Sequence, residues 1–159
     1  MSDFQKIYDE YAPSVYRFLL QLTANEGHAE ELLQETFYRA LQHIDRFEGR
    51  CSLYTWLCQI GKNAWFKERK RNARFSETEY IDRIPEYKDP EGIVIEREEY
   101  LRIHNAIRSL PDVYRDVFIM HVLGGIKLKE IATLYGKSES WARVTYYRGK
   151  QLIIEEVSK

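Results

Sequence analysis

Apolar residues recur at helical spacing along most of this chain, and nowhere do they alternate with the period of two that marks a half-buried strand. The pattern predicts an all-α fold. Phe4, Ile7, Tyr8, Tyr11, Val15, Phe18 and Leu22 share one side of a first helix from Asp3 to Leu22, which Pro13 is expected to bend or break. Asn25 and Gly27 predict a turn. A second helix follows from His28 to Phe47, with Leu33, Thr36, Phe37, Ala40, Leu41 and Ile44 inward, and Gly49 stops it. After a short loop at Arg50–Ser52, a third helix runs from Leu53 to Arg74 with Trp56, Leu57, Ile60 and Ala64 as core.

The pattern lapses between Ser76 and Pro90, where Pro85 and Pro90 stand among acidic and polar residues as in a flexible linker. It resumes near Ile93 with a helix through Ser109. Pro111 suits the first turn of the next helix, which reaches the Gly124-Gly125 stop. The expected organisation is two small helical domains, residues 1–75 and 93–159, joined by an acidic flexible linker at 76–92.

The chain closes on LKEIATLYGKSESWARVTYYRGKQL, Leu128 to Leu152, which reads as a helix-turn-helix. Ile131, Ala132 and Leu134 have core spacing, and a small Ala132 permits a close crossing. Gly136 sits where a helix end needs a left-handed residue, and Ser138 suits the N-cap of the second helix. Ala142, Tyr146, Gly149 and Ile153 form its inward stripe. Arg143, Tyr147 and Lys150 lie on a neighbouring stripe, flanked by Ser140, Trp141, Val144 and Arg148. An outward face that is basic and aromatic fits a DNA major groove, where Arg pairs with guanine and apolar groups meet thymine methyls. A helical hairpin within an all-α core has the same pattern of buried positions.

Net charge refines this picture. The 159 residues carry a formal net charge of −1, which taken whole argues against a nucleic-acid binder. Charge is unevenly spread, however: residues 1–75 hold 11 Lys+Arg and 10 Asp+Glu, residues 76–99 hold 3 and 9, and residues 100–159 hold 10 and 6. An acidic connector thus masks two more basic bodies. The histidines match no metal-ligand spacing, no catalytic constellation is present, and neither a metal nor another cofactor is expected. Cys51 and Cys58 form no CxxC pair; a thiol-based sensor built on them is a further reading. The N-terminus lacks the n- and h-regions of a secretory signal, and no apolar run could insert in a membrane, so a cytoplasmic protein is expected.

Two other surfaces carry candidate chemistry. Glu31, Gln34, Glu35 and Tyr38 form an outward stripe on the second helix, compatible with a solvated face or with docking to a basic partner helix. From Lys62 to Arg74 the third helix holds six basic residues and one acid, interleaved with Trp65 and Phe66. Lys62, Lys67, Lys70 and Arg71 can track phosphates, the aromatic faces can support unstacked bases, and the Asn63 amide can pair with a base edge.

With AEELLQETFYRAL, FEGRCSLYTWLCQIGKN, LPDVYRDVFIMHVLGG and the Leu128–Leu152 unit in this order, the chain resembles the bacterial extracytoplasmic-function sigma factors of RNA polymerase over nearly its whole length. The resemblance implies a non-enzymatic subunit with one domain for the promoter −10 element and one for the −35 element. It implies that Glu31, Gln34 and Glu35 meet the clamp helices of core RNA polymerase, where Tyr38 of the same stripe is expected beside them, with the polymerase flap as a further partner. It matches Asn63 and the Arg50, Cys51, Ser52 loop to the pocket for a flipped −10 base. Arg143, Val144, Tyr147 and Arg148 match the −35 contacts on promoter DNA, and Ser140, Trp141 and Lys150 on the same helix complete the expected −35 set. An anti-sigma factor, in many members membrane-anchored, is also implied. Two departures stand out: Trp141 replaces a small hydroxyl residue, and Thr145 replaces an Arg. The rival reading is a free-standing helix-turn-helix regulator that binds duplex DNA without polymerase. It leaves the carboxylate stripe and the Asn63–Arg74 cluster without roles.

Overall fold

Pro13 does not break the first helix. A computed structural model describes residues 3–71 and 97–159, and in it α1 runs unbroken over Asp3–Thr23. The proline ring lies on the solvent side, where water can take the backbone bond that proline cannot make. Val15, Phe18, Leu19 and Leu22 turn inward. The turn that follows is built from Thr23, Ala24 and Asn25 rather than from Asn25 and Gly27. Ala24 adopts a positive φ of 54°, and Thr23 Oγ1 donates to the Asn25 carbonyl at 3.1 Å. Asn25 then caps α2 (Glu26–His43), its Oδ1 accepting from the His28 amide at 2.8 Å. Gly27 therefore falls inside the helix.

α2 buries Ala29, Leu32, Thr36, Phe37 and Ala40. This stripe is rotated from the expected one: Leu33 is half-buried and Leu41 is 52% exposed. A single 3-10 turn, Ile44–Arg46, continues the chain, and Phe47 packs on Trp56 at 5.1 Å. Ser52 opens α3 (Leu53–Arg71): its Oγ accepts from the Thr55 amide at 3.1 Å and donates to Thr55 Oγ1 at 2.9 Å. Expected core residues Leu57 and Ala64 are buried, whereas Trp56 and Ile60 are half-buried. Gly61 marks the tightest approach. A Cβ there would lie 2.8 Å from Leu19 Cδ2 on α1 and 2.9 Å from Thr36 Oγ1 on α2.

The remaining described helices, α4 (Arg97–Ser109), α5 (Asp112–Phe118), α6 (Leu128–Leu134) and α7 (Glu139–Val157), form a second unit. The described residues contain seven α-helices and no strand, an all-α fold. The expected linker, residues 76–92, and Arg74 lie outside the described residues. Pro111 stands at the N-cap of α5, one position before the first turn. α5 passes into a wider π turn at Ile119–Leu123, closed by Gly124 N–H donating to the Ile119 carbonyl at 3.1 Å. His121 Nδ1 donates to the Ile126 carbonyl at 2.8 Å, tying this turn to the approach to α6.

The helix-turn-helix has the expected joint. At the end of α6, the Lys137 amide donates to the Ala132 carbonyl at 2.9 Å and the Gly136 amide to Thr133 at 3.2 Å, with Gly136 at φ 63°. These paired bonds form a Schellman cap. Ser138 Oγ accepts from the Trp141 amide at 3.1 Å and starts α7. Ala142, Gly149 and Ile153 are buried, Tyr146 is half-buried, and Thr145 joins them at 5% exposed. An arginine would not fit that inner position without carrying its charge out of the core.

Gly61→Ala should destabilise the first unit by about 1–2 kcal/mol, because overpacking outweighs the better helix propensity of alanine. Leu19 is fully buried, and Thr36 is held in place by its 2.7 Å bond to the Leu32 carbonyl, so neither yields easily. Urea unfolding followed by far-UV circular dichroism measures it; a gain in stability would show that the crossing is slack.

Candidate docking face and nucleic-acid interface

The buried stripe of α2 leaves Glu31, Gln34, Glu35 and Tyr38 on its exposed side. Tyr38 is 60% exposed. Leu41, three residues further, extends the same strip, which therefore begins with carboxylates and ends in apolar surface. Its spacing of seven from Gln34 was the available signal. Glu35 Oε1 pairs with Arg39 Nε at 2.8 Å.

Between α2 and α3 lies a groove of about 440 Å³ lined by Glu35, Tyr38, Arg39, Gln42, His43, Ile60 and Asn63. A second depression of about 360 Å³, lined by Glu35, Arg39, Ala64, Lys67, Glu68 and Arg71, shares two of those residues. The exposed Asn63 amide thus shares one outward face of α3 with Lys67 and Lys70, at helical intervals. Lys62 does not belong there. It is 1% exposed, on the inner face of α3 with Cys58 and Trp65, so it cannot reach a phosphate as expected. Trp65 is likewise core at 2% exposed, in contact with His28 at 5.7 Å and under the Arg69 guanidinium, and offers no face to a base.

Arg50, Cys51 and Ser52 do not line the groove. They precede α3, and Asn63 lies eleven residues beyond Ser52, roughly 16 Å along a helix. Arg50 is exposed and paired with Glu48 at 2.9 Å. Cys51 is half-buried, and the Ser52 hydroxyl is engaged as the α3 cap.

On α7, Ser140, Arg143, Val144, Tyr147, Arg148 and Lys150 are all exposed, with Val144 at 48% and Tyr147 at 57%. Arg143 Nη2 lies 3.4 Å from Glu139 Oε1. Trp141 folds partly back, its ring 5.5 Å from that of Tyr135 and half-buried. α7 is brought close to α5 at Gly149, where a Cβ would sit 3.3 Å from the Tyr114 carbonyl oxygen. Phe118 stacks on Tyr146 at 5.9 Å and His121 meets it edge-on at 4.6 Å, which fixes the rotation of the helix.

Sigma-70 region 2 matches residues 7–75 and Sigma-70 region 4 matches residues 100–153. The ECF RNA polymerase sigma factor SigM of Bacillus subtilis is 30% identical over 149 residues, covering 92% of this chain and 90% of SigM. The chain belongs to the ECF sigma factors. SigX of the same bacterium is 29% identical over 157 residues, covering 94% of this chain and 81% of SigX. Among solved structures, the sigma factor RpoE bound to the anti-sigma factor NepR from Bartonella quintana is similar in fold, with TM-score 0.66, 20% identity and coverage of 99% of this chain and 98% of RpoE. CnrH, in complex with the cytosolic domain of CnrY, gives TM-score 0.62 at 17% identity, covering 98% and 87%.

The two cysteines of this sigma factor are unequal. Neither is in a disulfide, and burial pushes the Cys58 thiol up to about 12, against a smaller opposing effect of its hydrogen bond with Tyr54. Burial also raises Tyr54, with Cys58 adding to the shift. A thiolate is the reactive form, so burial of Cys58 disfavours its reaction in the folded chain and argues against a sensor using both cysteines. Iodoacetamide at pH 8 should alkylate Cys51 alone until denaturant is added, as mass spectrometry would show; equal labelling of both thiols in the native chain would contradict this. Stability should also be intact below pH 9 and fall as pH rises toward 12. Over that window the unfolded thiol ionises while the folded one holds its proton.

Proposed function

We propose that this ECF sigma factor divides promoter recognition between its two units, with the docking face on α2, the −10 strand on α3 and the −35 duplex on α7. As a sigma subunit it directs core RNA polymerase to promoters. The observation that carries the division is the paired placement of Asn63, Lys67 and Lys70 outward on α3, and of Arg143, Val144, Tyr147 and Arg148 outward on α7.

On α2, Glu31, Gln34, Glu35 and Tyr38 are the proposed contacts to the clamp helices, and the exposed Leu41 supplies an apolar anchor at the end of that strip. Exposed carboxylates set register and association rate more than raw affinity, so the apolar end is what gives the contact lasting strength. On α3 and its leading loop, Arg50, Cys51, Asn63, Lys67, Lys70 and Arg71 are the proposed −10 contacts, with Ser52 shaping the loop through its cap. Holding one unstacked base opposes reclosure of the duplex, because extruding it costs only a few kcal/mol. On α7, Arg148 and Arg143 are placed to read base edges, Val144 and Tyr147 to meet apolar groups, and Lys150 to meet phosphate. Trp141, braced on Tyr135, would offer one ring edge from the start of the helix.

The flap of polymerase is the proposed partner of the second unit. An anti-sigma factor is a further proposed partner, since the similar RpoE structure is bound to one. The chain would act in the cytoplasm and contribute no catalysis of its own. Among the described residues no helix is long and apolar enough to cross a membrane.

Three measurements test the division. Glu31→Arg with Glu35→Arg should weaken binding to core polymerase at least tenfold while circular dichroism stays unchanged; full affinity would remove the docking role. Asn63→Ala should lower permanganate reactivity of promoter thymines, and a premelted template should restore it. Arg148→Ala should relax preference at one or two −35 positions, by roughly 1–3 kcal/mol of discrimination. Lys150→Ala should weaken all sequences alike and reduce the salt slope by about one ion. Selection from randomised −35 DNA reads both; unchanged preference in Arg143→Ala and Arg148→Ala would mean that α7 reads no bases.

A further inference from the structure

Glu35 faces two ways. It stands on the exposed strip of α2, and it also lines both depressions between α2 and α3. Arg39 lines the same two depressions, with Asn63 in one and Lys67 and Arg71 in the other. The 2.8 Å contact between Glu35 Oε1 and Arg39 Nε pairs a carboxylate with a guanidinium that lines the same groove as Asn63. We propose that Arg39 is a binding residue for a single-stranded phosphodiester in this groove, and that Glu35 keeps it masked until a partner takes the carboxylate.

The geometry suits a switch. Both side chains of the pair are about half exposed, at 40% for Arg39 and 49% for Glu35. A half-exposed pair is weak enough for a competing cation to displace. A basic partner helix on the α2 strip would meet Glu35 directly. Arg39, relieved of its carboxylate, would then present a planar fork that binds phosphate in a bidentate manner. One residue would thereby link docking to strand capture. This inference rests on the docking reading given above, but only through Glu35.

The test uses the full chain and a fluorescein-labelled twelve-nucleotide oligo-dT, read by anisotropy at low salt. Oligo-dT suffices because backbone contact is independent of sequence. Glu35→Gln should tighten binding about threefold beyond Glu68→Gln, which removes an equal charge from the same depression. Arg39→Ala should cost little alone, yet should erase that excess when combined with Glu35→Gln. In holoenzyme, measured against core polymerase alone, Arg39→Ala should weaken the same strand threefold or more. Equal gains from the two glutamine variants, a gain that survives Arg39→Ala, or no detectable binding by any variant would each overturn the proposal. Matching thermal melts exclude misfolding as the cause. Failure of the docking reading is separate: it would appear as undiminished core binding by the Glu31→Arg, Glu35→Arg double variant, whatever the oligo-dT series shows.

Discussion

Each unit depends on a glycine where its working helix crosses another. Gly61 lets α3 lie against both α1 and α2, with room for no more than a hydrogen beside Leu19 and Thr36. Gly149 brings α7 close to Tyr114 of α5, a crossing less tight than the first, where a Cβ would meet the carbonyl oxygen at 3.3 Å. Small bundles have little core to spend on error, so close approach at one point sets the depth and rotation of the whole helix. Asn63 stands two residues from the first glycine, and Arg148 and Lys150 flank the second. The residues proposed to touch DNA therefore inherit their aim from the packed side of the same turn.

Much of this was legible in the sequence, and what was not has identifiable causes. The joint between α6 and α7 was readable because Gly136 and Ser138 act locally: a left-handed cap and a hydroxyl cap need only their own neighbours. The outward face of α7 was readable because its basic and aromatic residues contradict an ordinary solvated helix. Family resemblance supplied the assignment of elements to promoter and polymerase, which periodicity alone left open.

The misreadings lie where tertiary packing overrules residue type. Lys62 counted toward a basic cluster, yet the helical phase of Cys58 and Trp65 carries it inward. Trp65 was set beside bases on the strength of its ring, although a tryptophan this well buried belongs to the core. Leu41 was read as core from its hydrophobicity, because a rotation of α2 by a fraction of a turn does not show in a sequence. Pro13 was read as a bend or a break; the helix is not broken there, because a proline on the solvent side of a well-anchored helix is tolerated.

Three arginines at the candidate surfaces share one arrangement: Arg39 with Glu35, Arg50 with Glu48 and Arg143 with Glu139, each pairing with a carboxylate of its own chain. In every case an anion must displace an internal one, and burial of Lys62 withdraws a further cation. A genome offers an immense excess of unrelated duplex, and a strongly cationic chain would be absorbed by it. If these arginines are the DNA contacts proposed above, self-neutralisation would lower affinity for arbitrary DNA while preserving geometry for the correct site. The search for promoters would then fall to the assembled polymerase, and the free subunit would stay available to whichever protein reaches it first.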